Sequence, residues 1–140
     1  MKGNTQVIAA LNELLSNELS AMDQYFIHAR MYHDWGLSKL FERIDHEVTD
    51  EKAHAAALIE RILFLEGTPD LSKRDPLQVG TDVPSMLQND LNVEYSVGKL
   101  LKQMGKHLQV FAITHLPQVA AWGDQHYVVE KSNDGTVMSS

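Results

Sequence analysis

The stretch Glu47-Val48-Thr49-Asp50-Glu51-Lys52-Ala53-His54-Ala55-Ala56-Ala57-Leu58 decides the reading of the fold. It holds no proline or glycine, so nothing in it stops a helix. Glu47, Glu51, His54 and Leu58 are spaced by three or four residues and share one helical face. The same face continues through Leu40 and Ile44 on one side and Ile62 and Leu65 on the other. Acids and an imidazole thus sit in an otherwise apolar stripe. An unpaired buried carboxylate costs several kcal/mol, so such groups are paired, neutralised or bound to metal.

Outward from this stretch, a helix is predicted over about Ser38 to Leu65, with Gly36 as the preceding stop and Ser38 as its cap. An earlier helix is predicted from about Thr5 to His33, with Leu11, Leu14, Leu15, Met22, Phe26 and Ala29 as its apolar residues. Glu18 and Tyr25 fall in that series. Gly67, Pro69, Pro76 and Gly80 mark a long connection, and Thr81-Asp82 before Pro84 signals a third helix start. Leu87, Leu91, Val97, Leu101 and Met104 then form a stripe that encloses Glu94. The short turn makes the first two helices antiparallel, and the long link carries the chain back along the bundle before the third begins. Beyond Gln103, Gly105, Pro117, Gly123 and Gly135 interrupt the pattern. A short helix fits Gln118 to Lys131, and Ser132 to Ser140 reads as a polar tail.

The 140 residues suit one domain, with 44% hydrophobic and 22% charged residues and a net charge of -7. That charge argues against a nucleic-acid surface and is compatible with attracting cations, although plain solubility gives the same sign. There is no cysteine, which removes thiolate ligands and suits a reducing cytoplasm. No signal-peptide core and no membrane-spanning apolar run is present in the sequence, so the expectation is a cytoplasmic protein without a membrane partner.

Each of the three helices points at least one carboxylate toward the core: Glu18, Glu51 and Glu94. Each alone could be a partly exposed edge position. Together they fit a shared cation, and carboxylates with one imidazole suit Fe(II), Mn(II) or Zn(II). Glu51-Lys52-Ala53-His54 is the only Glu-x-x-His in the chain and puts both side chains on one face.

The chain resembles the bacterioferritins and their haem-free bacterial ferritin relatives. The residues that carry the likeness are Met1-Lys2-Gly3, Asn17-Glu18-Leu19, Asp23 to Arg30 (Asp-Gln-Tyr-Phe-Ile-His-Ala-Arg), Asp34-Trp35-Gly36, Glu51-x-x-His54-Ala55, Ile59 to Gly67, Asp90-Leu91 and Glu94. It covers about residues 1–102. The resemblance implies an all-α, ferritin-like four-helix bundle with a long crossover. It also implies a cage that oxidises Fe(II) with oxygen or peroxide and stores the ferric mineral. By the same resemblance Glu18, Glu51, His54 and Glu94 are di-iron ligands, with Glu51 bridging. Tyr25 stands beside the centre as an electron donor or simply as a core aromatic. His46 and Asp50 match residues that bind iron on the inner cavity surface, and a solvated charged face is their plain alternative. Glu47 takes no role.

Two departures bear on function. The haem-ligating methionine of bacterioferritins is replaced by Lys52, so haem is not expected. The second Glu-x-x-His, which the fourth helix supplies in the family, is missing: none of His107, His115 or His126 has a glutamate three residues before it, and Glu130 follows His126 in the reverse order. The expected domain therefore spans 1–131, family-like to 102 and divergent from 103 to 131, with an atypical or incomplete fourth helix and a tail at 132–140. The leading expectation is a ferroxidase and iron-storage subunit in a homo-oligomeric or mixed cage. The second is a ligand-deficient cage subunit that needs a full-length sister subunit. A helical interaction protein without metal is the third.

Overall fold

The computed structural model describes residues 2–108 and carries three helices there: α1 (Thr5–Asp34), α2 (Ser38–Phe64) and α3 (Val83–Leu108). The expected short helix at 118–131 and the tail at 132–140 lie outside the described residues, as does any fourth helix. Residues Met1–Asn92 form one compact unit and a second begins at Val93, within α3.

Helix α1 begins at Asn4, whose side-chain oxygen accepts the Gln6 N–H at 2.7 Å. It ends at Gly36, whose φ of 75° is the left-handed turn that only glycine takes without strain. Gly36 N–H donates to the His33 carbonyl at 3.1 Å and Leu37 N–H to that of Tyr32 at 2.9 Å, a paired closure of the last turn. The cap expected from Ser38 is not made. The capping position is Leu37, which offers no side-chain acceptor, and Ser38 is already helical.

The turn folds α2 back along α1. Gly3 N–H donates to the Leu65 carbonyl at 2.8 Å, so the start of α1 lies beside the end of α2. Leu11, Leu14 and Leu15 of α1 are buried with Leu58 and Ile62 of α2. Phe26, expected in the α1 stripe, is exposed, and Met22 is only half-buried. The stripe of α3 departs from expectation only in its first turns. Met86 and Asp90 are buried in place of the expected Leu87 and Leu91, followed by Val97, Leu101 and Met104. The reason is polar: Asp90 is drawn inward by partners on α1.

Those partners belong to a series the apolar pattern conceals. Asn12, Ser16, Ser20, Gln24 and His28 recur every four residues, a row that advances about 40° around the helix per step. Asn12 Oδ1 accepts the Asp70 N–H at 2.8 Å and Ser20 Oγ that of Asp75 at 2.7 Å. Gln24 Oε1 accepts the Gln78 N–H at 2.9 Å, and His28 Nε2 that of Gly80 at 3.1 Å. The extended crossover has no strand partner for its amides, and this row supplies the acceptors they need. Asp82 then caps α3 through the Ser85 N–H at 2.9 Å, as the Thr81-Asp82 signal predicts.

Candidate metal centre

Midway along the α1–α2 pair two of the three expected acids, Glu18 and Glu51, meet His54. One ligand atom from each of Glu18, Glu51 and His54 lies within 4.8 Å of the others. Glu18 and Glu51 are each 2% exposed, and the His54 side chain 14%. The imidazole Nδ1 donates to Glu18 Oε2 at 3.0 Å and stands 3.5 Å from Glu51 Oε2.

The sequence explains the convergence. Glu51 and His54 are one turn apart on α2, and Glu18 faces them from the middle of α1. Burial alone would push the His54 imidazole down. Its hydrogen bonds and charge interactions with Glu18 and Glu51 outweigh that and hold it up at about 10. In the metal-free protein the imidazolium thus offsets one of two buried carboxylates.

The donor set suits a hard or borderline divalent metal. Glu18 Oε1 is buried without a hydrogen-bond partner among the described residues, an acceptor whose lone pairs a cation could take up. Carboxylate oxygens with one imidazole nitrogen are the ligands iron and manganese take.

The other expected residues are more widely spread. Tyr25 is buried, two turns along α1 from Glu18. His46 and Asp50 face outward, with Nε2 and Oδ2 at 3.6 Å, and Glu47 lies 3.8 Å from Arg43. Lys52 is exposed. Glu94 is half-buried on α3 and belongs to the second unit. Sequence reasoning missed the buried polar set of Gln24, His28 and Asp90. Its signal was the four-residue polar repeat on α1.

Three helices, two of them bringing buried carboxylates and an imidazole to one point, define an all-helical protein with a carboxylate–histidine group that could hold a metal ion. Residues 8–109 match the Ferritin family, described as a ferritin-like domain, and the chain belongs to that family. It is 64% identical over 103 residues to a bacterial ferritin of Synechocystis, covering 74% of this chain and 66% of that one. Against a bacterial ferritin of Paramagnetospirillum magnetotacticum the identity is 60% over 109 residues, 78% of this chain and 66% of the relative. A bacterioferritin of Rhodobacter capsulatus is 44% identical over 103 residues, 74% of this chain and 64% of that protein. The chain thus spans just under two thirds of the length of these curated relatives. Among the described residues no helix is long and apolar enough to cross a membrane.

Proposed function

We propose that this chain is an iron-storage subunit of a ferritin cage that binds Fe(II) at Glu18, Glu51 and His54 and promotes its oxidation. The observation that carries this reading is the convergence of those three side chains, with a buried Glu18 oxygen left unpartnered. Fe(II) is the substrate, and it gives one electron per ion to dioxygen or hydrogen peroxide.

The protein's part is placement and proton handling. Glu18 and Glu51 supply the negative charge that draws the cation out of water, and Glu51 is the bridging ligand. His54 binds as a neutral imidazole, so its Nδ1 proton, held against Glu18, leaves as the metal arrives. By the family resemblance Glu94 is a further iron ligand, and Tyr25 stands by as a one-electron donor. His46 and Asp50, exposed one turn apart on α2, are a second cation-binding pair on the way to the mineral. Lys52 offers no thioether, so this subunit does not hold haem through that position.

A second reading rests on a specific observation: Glu51–His54 is the sole Glu-x-x-His in the sequence. On that reading the chain is a ligand-deficient subunit that binds iron but needs a sister subunit in a mixed cage to cycle it. Aerobic Fe(II) titration of size-checked protein beside Glu51→Ala separates the two. A fast oxidation phase saturating at about two irons per subunit, and lost in the variant, supports a working di-iron centre. Assembled protein with no fast phase supports the second reading.

A further inference from the structure

Away from the metal centre, one link between the crossover and α1 differs in kind from the others. Four side chains of α1 accept crossover amides: Asn12 that of Asp70, Ser20 that of Asp75, Gln24 that of Gln78 and His28 that of Gly80. Carboxamide and hydroxyl oxygens keep their accepting lone pairs throughout the range in which imidazoles titrate. An imidazole nitrogen does not, because a second proton occupies the lone pair that accepts. His28 holds the last link before α3. It is fully buried, and Gly80 and Asp90 are buried with it.

The bonds around the ring fix its tautomer. Nε2 accepts the Gly80 N–H at 3.1 Å, so the ring proton sits on Nδ1, which donates to Asp90 Oδ1 at 2.8 Å. Gln24 Nε2 donates to the same oxygen at 3.0 Å. A second proton acts unequally on the two sides. Nδ1 keeps its proton, and its bond to the Asp90 carboxylate becomes charge-assisted. Nε2 turns from acceptor to donor and meets another donor, the Gly80 N–H. That amide has little room to re-aim: a Cβ on Gly80 would stand 2.6 Å from the Met86 nitrogen, so its backbone already lies against the first turn of α3. Two buried donors facing each other are costly, and departure of Gly80 relieves both. Asp90 is the ionisable group that meets the ring from α3. On α1 Tyr32 lies one turn on, and Glu18 is almost three turns back, about 15 Å away. Near this level α2 brings Asp45, paired with Arg30, and Glu47, beside Arg43. Asp82, just past Gly80, is exposed and bonded to Ser85.

We propose that His28 is an acid-released latch: a second proton on its ring expels the Gly80 amide and loosens the crossover where it joins α3. The proton comes from solvent and is taken up on Nε2. Gln24 still takes the Gln78 N–H and Ser20 that of Asp75, so release is confined to the final link. The His28–Asp90 contact meanwhile keeps α1 and α3 together. The open form binds one more proton than the closed form, so its population rises as pH falls. A solvated imidazole takes its proton at about pH 6.5, which sets the window just below neutrality. Above that window the imidazole is neutral in both forms and the latch stays closed. None of this needs iron in the protein.

The test follows hydrogen exchange in the full-length protein at pH 8 and pH 5.5. Mass spectrometry with electron-transfer fragmentation resolves single amides, and each is corrected for its intrinsic rate at that pH. An opening coupled to one ordinary imidazole becomes about tenfold more populated between those two values. The expected result is therefore about a tenfold loss of protection at Gly80, with Asp70 and Asp75 unchanged. His28→Gln offers a carboxamide oxygen to the Gly80 N–H and cannot titrate, so that variant should protect Gly80 equally at both values. Equal protection of Gly80 at both values in the parent overturns the latch. A loss of the same size at Asp70 and Asp75 overturns it too, because that is general loosening in acid. So does a pH-dependent loss that persists undiminished in folded His28→Gln. If that variant does not fold by circular dichroism, the parent's profile decides: loss at Gly80 that begins only below about pH 5, in the carboxylate range, overturns the assignment to His28.

Discussion

Tyr32 shows at the scale of one residue how burial sets chemistry. Desolvation first, and then the charge of Asp90, push its phenol up from 10.0 to about 12. Below pH 10 the phenol is neutral in both folded and unfolded chains, and this stabilising difference is fully present. Between pH 10 and 12 the unfolded chain has lost the proton while the folded chain keeps it. The unfolded state then binds fewer protons, and stability falls as pH rises. The loss attributable to this residue is about 2–3 kcal/mol. Urea unfolding at pH 7 and pH 11 should show a smaller alkaline loss in Tyr32→Phe than in the parent. An equal loss in both would place the alkaline sensitivity elsewhere. At pH 7 the same variant should be at least as stable as the parent, because it deletes a buried hydroxyl that makes no hydrogen bond among the described residues. Nothing in the local sequence marked Tyr32 or Asp90 in this way. Glu18, Glu51 and His54 were legible because an acid within an apolar stripe is anomalous at a helical spacing. Asp90 lies 62 residues from His28, and only tertiary structure joins them.

Among the elements, the end of α2 separates two uses of glycine that the sequence alone runs together. Gly67 read as the first mark of the long connection, and the left-handed residue at the helix end is its neighbour Glu66, with φ 62°. Glu66 N–H donates to the Leu63 carbonyl and Gly67 N–H to that of Ile62, both at 2.9 Å. Gly67 is needed for close approach: a Cβ there would stand 2.8 Å from Ile8 Cγ2 and 3.1 Å from Ile62 Cγ2. Glu66→Gly should therefore raise stability by up to about 1 kcal/mol through relief of backbone strain. Gly67→Ala should lower it by about 1–3 kcal/mol through overpacking. Thermal melts of the two variants decide the matter, and the opposite ordering would refute the assignment. The row on α1 makes a second prediction. Gln24 takes the Gln78 N–H and donates to Asp90, so Gln24→Ala removes partners from both. It should cost about 1–3 kcal/mol and strip hydrogen-exchange protection from the Gln78 amide while leaving that of Asp70 in place. The three helices were legible from apolar periodicity and breakers, since those signals are local. The burial of Met86 and Asp90 ahead of Leu87 and Leu91 was not, because a polar attraction at Asp90 outweighed two leucines that the periodicity favoured.

For the whole molecule, the metal centre is a place where stability is given up for binding. Two buried carboxylates crowd one imidazolium there, and Glu18 Oε1 has no hydrogen-bond partner among the described residues, so the metal-free fold holds closely spaced like charges in its interior. The net charge of -7 adds a weak repulsion of the same sign. A divalent cation relieves both, and binding to the folded chain alone raises stability by about 2.7 kcal/mol at a hundredfold excess over Kd. Mn(II) is a suitable probe because it takes the same oxygen and imidazole ligands. Glu18→Gln keeps an acceptor for the His54 N–H, removes one negative charge and leaves Glu51 balanced against the imidazolium. That variant should therefore unfold at higher temperature than the parent when both are metal-free. It should also lose most of the upward shift that Mn(II) gives the parent. A Glu18→Gln protein that is less stable without metal, yet still stabilised fully by Mn(II), would show that Glu18 is a structural partner of His54 and no ligand. The sequence could set acids within apolar helical stripes but could not reveal this charge balance, because it depends on distances between helices that no spacing along one helix contains.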